Sequence, residues 1–187
     1  MRLLSTLFLL TICVTSKAQT SPTRSWVDSE VKYTDSTGKA VMVYNSLPRG
    51  GGNYTDSTGK KYSYVIFWTH LINESTAPLE LSIKFPAEPF KIFPSPDSYI
   101  RIFLPPDTMT LEKVQMGDYG LRLQSFLDAG FNKPGRLDRT LNPKEEYYFY
   151  IPVIIYHARG TARAGLVLKG QDLFFKISIN PDSALIP

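Results

Sequence analysis

The sequence predicts an all-β protein: an antiparallel, immunoglobulin-like β-sandwich of about seven to nine strands with one short helix in a connection. Three observations predict it. Nearly every apolar run either alternates with period two or is too short and β-branched for a helix. Turn residues break these runs at short intervals, with 14 Pro and 12 Gly as punctuation. No alternation of strand and helix patterns suggests a parallel sheet.

The chain opens with a basic residue, Arg2, then an apolar stretch from Leu3 to Val14, then Ser16-Lys17-Ala18. That is the pattern of a secretory signal, residues 1–18, cleaved between Ala18 and Gln19. The apolar run is shorter than the roughly 20 residues a membrane span needs. Cys13 follows Ile12 rather than a small residue, which argues against lipidation. Residues 19–29 read as a flexible N-terminal segment and residues 30–187 as a single sandwich domain.

Within that domain Asp35-Ser36-Thr37-Gly38-Lys39 is a polar turn with Gly where a positive φ is wanted, leading into a strand at 41–44. Arg49-Gly50-Gly51-Gly52 reads as a flexible loop. Asp56-Ser57-Thr58-Gly59-Lys60 repeats the first turn, inside a heptapeptide that occurs at 33–39 and again at 54–60. Two copies are too few for a solenoid, so the pair reads as two hairpin turns at one end of the sandwich. The stretch 62–72 is apolar on both faces, as in a central strand. Residues 79–85 alternate strictly. Ile100, Ile102 and Leu104 form a further apolar row, ended by Pro105-Pro106. Leu123, Phe126 and Leu127 have helical spacing with Gly130 as a stop, which predicts the helix within 119–129. The stretch 147–156 is again apolar on both faces, and Pro152 implies a bulge or an edge there. Its odd row, Tyr147 to Ile155, is expected to face the inter-sheet core. Its even row is expected to point outward or under a covering loop. Strands at 165–168 and 172–180 complete the pattern, the second with Leu173, Phe175, Ile177 and Ile179 inward.

Composition bounds the function. With 43% hydrophobic and 20% charged residues the chain is neither disordered nor a multi-span membrane protein. The formal charge of +4 includes Arg2 and Lys17, which leave with the signal, and Lys60-Lys61 is the only adjacent basic pair. No basic stripe supports nucleic-acid binding. Cys13 is the only cysteine, so the mature chain carries no disulfide. That suits a bacterial exported protein in the periplasm, at the cell surface or outside. No cofactor or metal site is expected, since the two His lack further ligands at metal spacing.

Catalytic motifs fail one by one. Both copies of Ser-x-x-Lys lie in turns rather than at a helix start. A P-loop counted back from Gly59-Lys60 would need Gly where Tyr54 stands. No Gly-x-Ser-x-Gly elbow exists to receive His70 or His157. Glu145 and Glu146 are strand neighbours on opposite faces, so they cannot flank one glycosidic bond. The positive feature is aromatic: 11 Tyr and 11 Phe, with four consecutive rings at 147–150. Tyr148, Tyr150 and Tyr156 on the even row, together with Arg49, are the candidate binding residues for a protein or glycan partner.

Three segments carry a resemblance: Asn45-Ser46-Leu47-Pro48 through Gly52, Phe67 through Glu74, and Asn142-Pro143-Lys144-Glu145-Glu146. Together they resemble a group of small secreted Bacteroidota proteins whose signals often end in Ala-Gln. Ile72-Asn73 before Pro78-Leu79, and Leu141-x-Pro-x-Glu before an aromatic strand, are similar to bacterial immunoglobulin-like modules. The resemblances imply export and a sandwich fold, and bring no activity or site residues. The leading expectation is a non-catalytic exported binding protein. The alternatives are an envelope hydrolase built on His70, His157, Asp97 and Asp107, and a structural subunit that accepts a partner strand on an unpaired edge.

Overall fold

The computed structural model describes residues 26–187, so the cleavage site at Ala18 and Gln19 lies outside the described residues. The chain is an all-β sandwich of eleven antiparallel strands among the described residues: β1 Val27–Thr34, β2 Ala40–Ser46, β3 Arg49–Thr55, β4 Lys61–Asn73, β5 Leu79–Phe85, β6 Tyr99–Ile102, β7 Gly135–Leu141, β8 Glu146–Tyr156, β9 Ala162–Lys169, β10 Asp172–Ile179 and β11 Asp182–Ile186. The count exceeds expectation because β1, β3 and β7 are mostly polar and β11 is only five residues long, so none carries a clear apolar alternation. β1 also begins inside the stretch 19–29 expected to be flexible. Its residues from Val27 on pair with β2.

The first layer is a six-stranded sheet in the order β1-β2-β4-β8-β6, with β3 also on β4. β2 and β3 lie end to end along one edge of β4, pairing with residues 69–73 and 61–66 respectively. They form one long strand broken at Leu47-Pro48, where the Ser46 hydroxyl accepts the N–H of Trp68 at 2.8 Å and so heals the ladder. The central pair is β4 and β8, as both-face apolarity implies. The second layer is split into two sheets, β5-β7 and β11-β10-β9.

The odd rows of β4 and β8 face this second layer. Phe67, Leu71, Phe149, Ile151 and Val153 are buried there against Ile83, Phe85, Leu166, Phe175 and Ile177. The register expected for 147–156 is therefore the observed one. Asn45 ties the layers: its amide donates to the carbonyl of Leu166 and accepts that residue's N–H, at 3.1 and 2.8 Å. Gly165 permits the approach, since a Cβ there would meet the Asn45 side chain at 2.5 Å.

The opposite face of the large sheet is covered rather than wet. Residues 103–131 cross it as an irregular strap containing 3₁₀ turns and one helix, α1 Leu123–Gly130. Its Met109, Val114, Tyr119, Leu123 and Leu127 pack on Ile66, Trp68, Tyr150 and Ile154. The expected helix is thus present but starts later, because residues 118–120 adopt left-handed φ values of 50, 52 and 70°.

Two further expectations are corrected, while Pro152 takes the edge rather than the bulge of its two expected settings: it pairs in register with Ile66 on one side, and β6 has ended on the other. Its carbonyl accepts the Phe103 N–H at 2.9 Å, so its imino nitrogen faces the side where β6 has ended. Gly50 to Gly52 belong to a bulged strand, not a loop, and the ring of Tyr64 lies across them. A Cβ on Gly52 would meet the Tyr64 hydroxyl at 2.7 Å. The two repeated turns sit at opposite ends of the sheet. The turn after β1 leads into Ala40, whose carbonyl accepts Glu74 N–H past the end of β4. The turn after β3 precedes the start of β4. Thirteen residues of β4 separate the ends by about 40 Å.

Candidate functional site

Of the four residues singled out from sequence, three are structural. Tyr150 is fully buried, and its hydroxyl donates to the carbonyl of Tyr119 at 2.7 Å, fastening the strap to β8. It cannot meet a partner at the surface, which corrects its candidacy as an exposed contact. The reason is that the strap covers the even row at mid-strand. Burial pushes the Tyr150 phenol up to about 12. Arg49 is a clamp: its guanidinium lies 4.2 Å over the Trp26 ring and 5.0 Å from that of Tyr119, and donates to the Met116 carbonyl.

Tyr148 belongs to a cross-strand stack. Tyr44 on β2, His70 on β4 and Tyr148 on β8 are direct neighbours in register. Their rings lie 5.2 and 3.7 Å apart and nearly parallel. His70 Nε2 meets Glu146 at 2.8 Å. Burial holds the imidazole below its ordinary pKa despite the carboxylate, which pulls the other way. Both faces of the ring are covered, its Nε2 is held by Glu146, and the residue is only 8% exposed. His157 is exposed and stacked on Tyr156 at 3.8 Å, and neither His is hydrogen-bonded to Asp97 or Asp107. Among the described residues no three His, Cys, Asp or Glu side chains cluster as metal ligands.

Tyr156 leads to a site. It ends β8 at the end of the sheet where β4 begins and β6 starts. Tyr54 pairs with Tyr62 across β3 and β4. Tyr99 pairs with Tyr156 across β6 and β8, and the Tyr62 and Tyr156 rings are 5.4 Å apart. Four tyrosines from four strands thus stand in one row. Phe131, just past α1, stacks on Tyr54 at 5.4 Å and packs tilted against Tyr62 at 5.2 Å. Tyr54, Tyr62 and Tyr99 of this row, the 56–60 turn and the end of α1 line an open groove of about 730 Å³, in which Tyr99 and Phe131 are the half-exposed rings, while Tyr156 lies behind Lys60.

The polar groups of the groove are fixed in place. Asp56 Oδ1 accepts the Thr58 hydroxyl and the N–H groups of Thr58 and Lys60, at 2.7 to 3.0 Å. Its Oδ2 accepts the Tyr62 hydroxyl at 3.0 Å. The hydrogen bond from Thr58 leads the causes that hold this carboxyl down at about 2. Asp128 accepts from Tyr54 at 3.3 Å and from Gln124. The Lys60 ammonium lies 3.7 Å over the Tyr156 ring and donates to Tyr99 at 2.9 Å, a bond that raises its pKa. Arg101 donates through Nη1 to the Phe131 carbonyl and to Asn132, at 3.0 and 2.9 Å.

No family model, curated protein or solved structure matches the chain. The site is therefore read from its own chemistry. Sequence reasoning reached Tyr156 and missed Tyr54, Tyr62, Tyr99, Phe131, Lys60 and Arg101. The available signal was the pair of tyrosines flanking the second copy of the turn; their alignment with Tyr99 and Tyr156 exists only through strand register.

Proposed function

We propose that this chain is an exported, non-catalytic binding protein whose groove takes a glycan. The carrying observation is an open groove presenting two half-exposed rings, Tyr99 and Phe131, backed by the buried Tyr54 and Tyr62 and edged by fixed charged and hydroxyl groups. A pyranose presents an apolar C–H face and a rim of hydroxyls. Aromatic rings suit the first, and Asp, Lys, Arg and Tyr hydroxyls suit the second. A flat protein partner would fit an exposed apolar patch better. The large exposed apolar side chains among the described residues, Val31, Leu111, Met116 and Leu185, lie on three separate segments. A hydrolase would need one carboxyl held protonated near neutral pH. Asp56 is pushed the other way.

Export is supported by the signal pattern of residues 1–18 and by the cysteine-free remainder of the chain. No helix among the described residues is long and apolar enough to cross a membrane.

The test is a glycan array probed with the purified protein, followed by titration of the bound glycans. Tyr99→Ala and Phe131→Ala, both at half-exposed rings, should each weaken binding by about tenfold or more. Finding no bound glycan, or binding indifferent to both substitutions, would overturn the reading.

A further inference from the structure

The groove contains more donors than its own acceptors consume. Its two carboxylates are already served, Asp56 by four hydrogen bonds and Asp128 by Tyr54 and Gln124. Its cations are less committed. Lys133, on the rim just past α1, has no side-chain partner among the described residues. Arg101 uses Nη1 for Phe131 and Asn132, and its Nη2 has none. Lys60 has three N–H groups and gives one to Tyr99. The Tyr156 ring beneath it fixes the ammonium in place without neutralising it. A ligand that brings acceptors, and negative charge in particular, completes this arrangement. One that brings only hydroxyls leaves the cations solvated.

We infer that the groove selects acidic glycans, with a sugar carboxylate held among Lys60, Arg101 and Lys133. This rests on the glycan reading above. The geometry divides the work: Tyr99 and Phe131, the half-exposed rings of the groove, take the apolar face of one sugar ring, and the cations take the acid group at its edge.

The experiment pairs glycans that differ only in charge. Hexagalacturonate and its fully methyl-esterified form are spotted on the array beside neutral hexamers of glucose, mannose and N-acetylglucosamine. Uronic-acid glycans of other backbones are included, and the best acidic binder is titrated. The acidic members should bind at least about tenfold more tightly than their neutral counterparts, with affinity falling as ionic strength rises. Lys133→Gln, at an exposed position that bears no load in the fold, and Lys60→Gln should each reduce that preference, while Tyr99→Ala should weaken acidic and neutral glycans alike. Neutral glycans bound as tightly as acidic ones, with Tyr99→Ala still damaging, would overturn the charge selection and leave the groove reading standing. A preference untouched by either lysine substitution would also overturn it. No glycan bound at all would overturn both.

Discussion

Tyr150 and Phe149 are consecutive residues of β8 on opposite faces, and both are at most 2% exposed. From sequence, the three hydroxyls of the even row suggest a face turned outward or under a covering loop, with Tyr150 the cheaper residue to lose. The strap removes that difference. Phe149→Ala opens a cavity between the layers and should cost about 3–5 kcal/mol. Tyr150→Ala opens one beneath the strap and also leaves the Tyr119 carbonyl without its 2.7 Å donor. Its urea midpoint should therefore fall at least as far as that of Phe149→Ala. A Tyr150→Ala midpoint close to that of the unaltered protein would mean the strap does not hold this face in solution. Row assignment along a strand was thus legible from the sequence, since parity alone decides it. Whether the second row met solvent was not, because the covering segment is mostly turns without periodicity.

At the scale of elements, identical heptapeptides give identical turns with unequal duties. In each, one aspartate oxygen accepts the hydroxyl and N–H of the Thr two residues on and the N–H of the Lys four residues on. In the first copy the carboxylate does only this. In the second it also holds the Tyr62 hydroxyl, and through Tyr62 the tyrosine row. Tyr33 and Tyr54, equivalent in the repeat, pack on opposite faces of the sheet. Asp56→Ala should consequently lower the denaturant midpoint more than Asp35→Ala, and it alone should weaken groove binding. Equal effects of the two substitutions on both measurements would refute a link from the turn to the row. Hairpins, central strands and the helix were legible because each is encoded within about a dozen contiguous residues. The groove was not, since its rings at 54, 62, 99 and 156 are brought into line by the register of four strands.

For the whole molecule, the strap divides the work between stability and binding. The core between the layers is built from strands apart from Leu104, at the start of the strap, and includes the odd rows of β4 and β8. The second core exists only while residues 103–131 lie over the even rows, and the end of that segment forms one wall of the groove. Leu127 is the pivot of this arrangement: it is fully buried, sits on α1, and its carbonyl accepts the Phe131 N–H at 2.8 Å, which sets the ring that packs on Tyr54 and Tyr62. Leu127→Ala should cost about 2–5 kcal/mol as a cavity under the helix. Because the inter-layer core does not include Leu127, the loss should appear as local opening. Amides of α1 and the strap should exchange faster, while those of β4 and β8 remain the slowest in the protein. Glycan affinity should fall with them, since one wall of the groove moves. If instead β4 and β8 lose protection together with α1, the strap and sandwich form one cooperative unit, and the groove cannot loosen without the fold.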